Sequence, residues 1–167
     1  MRHNKLFKLA VEEDSDARIA NAFLNASLPP TVVGDIRDFI RQVKKPLAVR
    51  SSSLLEDALY QPFAGIYYTK MVPNNQSDLD ARFLSLDNAI KLVWASTFLK
   101  QAKSYIESTN HRVDEEKMAV IIQEVVGAER NGRYYPDFAG VARSYNYYPV
   151  GHAKPEDGVV NVALGLG

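Results

Sequence analysis

Cysteine is missing from all 167 residues, which excludes disulfide staples, thiolate metal centres and a cysteine nucleophile. Histidine is scarce, and His3, His111 and His152 sit in polar terminal or loop contexts without metal-ligand spacing, so they read as solvated and no protein metal site is expected. An excess of charge of either sign is also lacking. Twenty basic and twenty acidic residues cancel, leaving no global field to draw the chain toward nucleic acid or an anionic membrane. Any anion must therefore be held by a local site.

Long apolar runs are absent too. Nowhere do about eighteen apolar residues follow one another, and the opening "MRHNKLFKLAVEED" has too short an apolar run for a signal peptide. A cytoplasmic protein is the expectation, with neither nucleic acid nor membrane among its partners. Two glycine signatures are missing as well: G-x-x-x-x-G-K-[ST] and G-x-G-x-x-G, which exclude the usual phosphate-loop and dinucleotide folds.

What is present fits one soluble domain: 46% of residues are hydrophobic, and the length allows a sizeable core. "DSDARIANAFLNASLPP" predicts a helix from a Ser15 or Asp16 cap, with Ile19, Phe23 and Ala26 at helical spacing and Pro29 and Pro30 ending it. A second helix is predicted from a Thr31 cap, its stripe made by Val32, Ile36, Phe39, Ile40 and Val43. Residues 1–45 thus read as a helical N-terminal segment.

After Pro46, "LAVR" reads as a short buried strand that delivers Arg50 and three serines to its carboxyl end. A loop with Pro62 and Gly65 follows, then "IYYTKMV" as a second strand. "LDNAIKLVWASTFLKQAKSYIES" predicts one long helix, with Ile90, Trp94, Phe98 and Tyr105 toward the core and Lys91, Lys100 and Lys103 mostly away from it. Trp94 reads as core.

"MAVIIQEVV" is almost continuously apolar, as a central strand covered on both faces would be. Asn131-Gly132 signals a turn, and "FAGVARSYNYY" reads as a strand returning in an antiparallel hairpin with a longer loop. A last strand, "GVVNVALGLG", runs into the end of the chain, which predicts a piece of a longer protein. Helices followed by alternating strands and helices give an α+β class.

Few residues offer chemistry. Arg50 presents a planar fork of donors that suits phosphate oxygens, with Ser51 and Ser52 as further donors; a local salt bridge to Glu56 or Asp57 is the competing reading. Gln123 and Glu124 interrupt an apolar strand, either to offer groups to a planar base or because the strand end turns into solvent. The acids Asp114 to Glu116 read as a solvated loop run rather than a cation site.

In order, "AVRSSSLLED", "FAGIYYT", "AIKLVWAST", "MAVIIQEVV", "AGVARSYNYYP" and "VALGLG" resemble the nucleotide-binding domain shared by phosphoenolpyruvate synthase and pyruvate phosphate dikinase. The resemblance covers Pro46 to Gly167, about three quarters of the chain. It implies part of an ATP-grasp fold over 46–167, with ATP between two subdomains and its β-phosphoryl group moving onto a histidine of a separate domain, then to pyruvate. ATP and Mg²⁺ are the implied cofactors, and the phosphohistidine and pyruvate-binding domains of a parent protein the implied partners.

Carried over by position, Arg50 and the adjoining Ser51 match the V-R-S-S block on the nucleotide phosphates, and Arg50 is the implied catalytic residue. Phe63, Ala64 and Gly65 match the loop over the phosphates, with Thr69 at its hydroxyl position. Gln123 and Glu124, followed by Val125 and Val126, match the hinge that lines adenine and ribose. Arg143 and Tyr145 have no transferable role, no glycine and lysine phosphate motif precedes Arg50, and the implied metal ligands lie beyond the final glycines. The chain alone is therefore expected to be inactive. A nucleotide-sensing or interaction module with the same fold is the alternative, since fold alone does not fix chemistry.

Overall fold

The computed structural model describes residues 5–54, 65–109, 112–113 and 116–166. They divide into two compact units, 1–124 and 125–167. The class is α+β, as the pattern predicts.

In the first unit, α1 (Phe7–Glu12) and α2 (Asp16–Leu24) precede α3 (Pro30–Gln42). The Ser15 hydroxyl caps α2 by accepting from Arg18 N at 3.5 Å. The start of α3 differs from the expected Thr31 cap: Pro30 is already its first residue, because a proline there loses no intrahelical hydrogen bond and its φ suits the helix. Ile36 and Ile40 of its stripe are buried.

Strand β1 (Leu47–Ser53) lies between β2 (Thr69–Val72) and β3 (Met118–Glu124), and both pairings are antiparallel. The expected strand "LAVR" thus continues through all three serines, and Arg50 is mid-strand rather than at its end. β3 occupies the flank of this sheet, not a central position; its residues alternate between half-buried and exposed from Met118 to Gln123. Its long apolar run reflects one covered face plus Ala119 and Ile121 on the other.

Leu47 and Val49 point into a core made with Ile36 and Ile40 of α3 and with Leu86, Ile90 and Val93 of α4 (Leu79–Ser96). Asp78 caps α4, its carboxylate accepting from Ala81 N at 2.8 Å. The predicted long helix is broken after Ser96, and α5 (Lys100–Glu107) begins on a new axis. Two causes are visible. Leu99 is extended, at φ −72° and ψ 158°, which interrupts the helical hydrogen-bond ladder while it joins Phe98 in an apolar cluster with Ile19 and Phe23. Lys100 N is also capped at 2.7 Å by the Asp16 carboxylate of α2. Lys91 departs from its expected outward place: it is buried, donating to Asp87 at 2.6 Å and to Leu24 O at 3.3 Å.

Arg82 joins these elements from inside. Its guanidinium is buried and donates to Ile40 O, to Val43 O at 2.6 Å and to Asn74 Oδ1 at 2.8 Å. Asn74 in turn donates to Val43 O at 3.1 Å and Lys45 O at 2.9 Å. The cation so placed faces the carbonyl end of α3, where the helix dipole favours positive charge.

The second unit contains two ribbons. β4 (Ala128–Arg130) and β5 (Arg133–Tyr135) form a hairpin closed by Asn131 and Gly132, both at positive φ, as a type I′ turn requires. β6 (Phe138–Arg143) pairs with β7 (Val159–Leu164), not with β3 as expected. β3 pairs instead with β1, far earlier in the chain.

Arg82→Met should leave Ile40 O and Asn74 Oδ1 without the donor that Arg82 supplies, Val43 O keeping that of Asn74. A loss of about 3 kcal/mol in unfolding free energy, measured by urea titration, is the expected outcome.

Candidate functional site

Side chains alternate across a strand, and residues directly opposite in antiparallel pairs share a face. With Leu47, Val49 and Ser51 turned to the helices, Ala48, Arg50 and Ser52 occupy the open face of β1. The register places Thr69 of β2 and Ile121 of β3 on either side of Arg50. In the next row Ala48 lies between Met71 and Gln123. Arg50 and Gln123 are therefore diagonal neighbours, a relation that spans about 7–8 Å between backbones.

Among the described residues this face of the three strands has one charge. Among its residues Arg50 alone is ionised, and Met71 and Ile121, each about half exposed, supply apolar surface beside it. Among the described residues no carboxylate forms an ion pair with Arg50. Glu56 and Asp57, the acids of the competing reading, lie outside the described residues.

The segment leading to Thr69 is tied from the helix side. Gly65 adopts a positive φ of 78°, which only glycine adopts without strain. Tyr67 is buried against Ala102 and Ile106, and its hydroxyl donates to Glu116 at 2.5 Å. Tyr68 N donates to the Ser96 hydroxyl at 3.1 Å. Lys70 sits 4.9 Å above the Tyr68 ring. Thr69 thus reaches its register position through two anchored tyrosines.

Glu116 differs from its expected role as a solvated loop acid. Half-buried, it accepts from Leu54 N at 3.1 Å and Lys117 N at 2.8 Å as well as from Tyr67. It joins the end of β1 to the start of β3. Its place before an apolar strand was visible in the sequence, but its partners are distant, and nothing local signalled them. Asp114, Glu115, His3 and His111 lie outside the described residues.

The remaining site candidates separate. Ser51 is buried on the helix side, so Ser52 is the serine that shares a face with Arg50. Glu124 ends β3 on the same side as Leu47 and forms an ion pair with Lys45 at 3.5 Å. Val126 belongs to the second unit and is exposed. Phe63 and Ala64 lie outside the described residues. Among the described residues there is no cluster of three or more histidine or carboxylate side chains fit to cage a metal, so the residues present do not by themselves make a Mg²⁺ site. No helix among them is long and apolar enough to cross a membrane.

Residues 4–167 match the family described as pyruvate phosphate dikinase, AMP/ATP-binding domain. The chain belongs to that family. An uncharacterized phosphotransferase, YvkC, of Bacillus subtilis is 30% identical over 93 residues, covering 56% of this chain and 10% of that protein. Phosphoenolpyruvate synthase of Aeropyrum pernix is 28% identical over 127 residues, covering 72% of this chain and 15% of the archaeal protein. The chain thus spans a small part of the length of the curated relatives it matches. The family match reaches back through α1, α2 and α3, which the resemblance read from the sequence did not include.

Arg50 is exposed and unpaired among the described residues, in contrast to Arg82. Arg50→Ala is expected to change unfolding free energy by no more than about 0.5 kcal/mol in the same urea titration. A loss as large as that of Arg82→Met would make Arg50 a structural residue.

Proposed function

We propose that this chain forms the nucleotide-binding portion of a dikinase and that the open face of the β2-β1-β3 sheet receives ATP. Arg50 grips phosphate oxygens through its guanidinium fork. Ser52 and Thr69 add hydroxyl donors to the same group. Gln123, with Ala48, Met71 and Ile121 around it, offers an amide and apolar surface to the base. Ser51 contributes through the strand it shares with Arg50. Gly65 supplies the close backbone approach at the phosphates.

The observation that supports this reading is the coincidence of Arg50, Thr69 and Gln123 on one face of the sheet, with no ion-pair partner for the cation among the described residues. A single fixed positive charge over apolar surface suits a ligand that is anionic at one end and planar at the other. Family membership adds the nucleotide.

In the reaction proposed for the longer protein, the nucleophile is a histidine on another domain. It attacks the β-phosphorus of ATP, the bond to the α,β-bridging oxygen breaks and AMP leaves. The γ-phosphoryl group of the resulting pyrophosphoryl-histidine is then lost to water or inorganic phosphate, and the remaining phosphoryl group passes to the enol oxygen of pyruvate to give phosphoenolpyruvate. Phosphoryl transfer depends mainly on positioning and on neutralising charge at the phosphate oxygens. Arg50 would perform both on this side of the nucleotide. Mg²⁺ would add charge at the phosphates, held by the nucleotide and by residues other than those described.

Calorimetric titration with Mg-ATP and with AMP tests the assignment. Arg50→Ala should weaken ATP binding by roughly 1–3 kcal/mol, the range for hydrogen bonds to charged groups, and AMP binding by less. Equal ATP affinities for the two proteins would overturn the phosphate clamp.

A further inference from the structure

A second concavity lies on the other side of the sheet from Arg50. It has a volume of about 240 Å³ and is lined by Trp94, Thr97, Phe98, Glu116 and Met118. Met118 opposes Ser53 in the register, on the helix-facing side of the sheet. A cavity of about 150 Å³ already holds a benzene-sized molecule, so an aromatic ring with a short polar arm fits here.

The lining polar groups define the arm. Thr97 is 1% exposed, and its Oγ1 has no hydrogen-bond partner, an expensive state for a buried hydroxyl. Among the described residues Glu116 is the one ionisable lining group. A carboxylate offers about four lone-pair sites, and the hydrogen bonds from Leu54 N, Lys117 N and Tyr67 Oη leave capacity for a further donor. The Trp94 N–H is already engaged, donating to Met118 O at 3.2 Å. The Thr97 hydroxyl can donate or accept, whereas the Glu116 carboxylate only accepts and carries negative charge, so a cationic donor suits the pair. Indole, phenyl and thioether surfaces make up the rest, and tryptophan is the best aromatic partner for a cation.

We propose that this cavity is a binding site for a small amine with an apolar body. The ammonium group donates to Glu116 and Thr97, and the body packs on Trp94, Phe98 and Met118. The site is separate from the nucleotide face and does not depend on the reading of that face.

Trp94 is the one tryptophan in the chain, so its fluorescence reports on this cavity without labelling. Benzylamine titrated into the chain should change Trp94 emission saturably, with a Kd in the millimolar range expected for so few atoms. Benzoate of the same size should give no saturable change. Glu116→Gln, which keeps an acceptor for the neighbouring amides, should weaken benzylamine binding about tenfold. Thr97→Val preserves shape and should weaken it about threefold, with far-UV circular dichroism confirming that both variants fold. No saturation by benzylamine, equal binding of benzoate, or wild-type affinity in a folded Glu116 or Thr97 variant would each overturn the proposal.

Discussion

The buried guanidinium of Arg82 is the constraint on which the candidate site depends. Its hydrogen bonds end α3, hold Asn74 in the turn after β2 and, through Asn74, fix the carbonyl of Lys45 just before β1. The main-chain oxygens around it stand in for a carboxylate, which lets a full charge leave water without an orphaned partner. Fixing the entry to β1 also fixes the phase of its alternation. A shift of one residue would send Arg50 into the core and Val49 into solvent.

That phase divides the sheet into two chemically unlike sides. One side is covered by α3 and α4, and its strand residues are aliphatic near the middle and serine toward the end of β1. The other carries a lone cation, hydroxyls and an amide among apolar side chains. Tyr67 and Glu116 connect the two sides without crossing the sheet: they anchor from the helix side the stretch that places Thr69 on the open side.

Much of the local structure was legible in the sequence. The cap of α2, the stripe of α3 and the Asn131-Gly132 turn all rest on short-range chemistry, so their residues announce them. The misses share a long-range cause. Asp16 interrupts the α4–α5 pattern from 84 positions away. β3 pairs with β1 rather than with its nearest hairpin candidate, and Lys91 is drawn inward by Asp87 and the end of α2. For the site, alternation places Arg50, Thr69 and Gln123 together once the register is known. It also separates Ser51 from Ser52, a distinction that a run of identical residues conceals. Glu116 was hidden because acids before a strand are usually hydrated.

The Asp16 cap on α5 bears on the order in which the chain folds. A contact across so long a span closes only after the intervening polypeptide has been made and largely collapsed. The corner between α4 and α5 and the cluster of Ile19, Phe23, Phe98 and Leu99 therefore depend on the same long-range docking of α2.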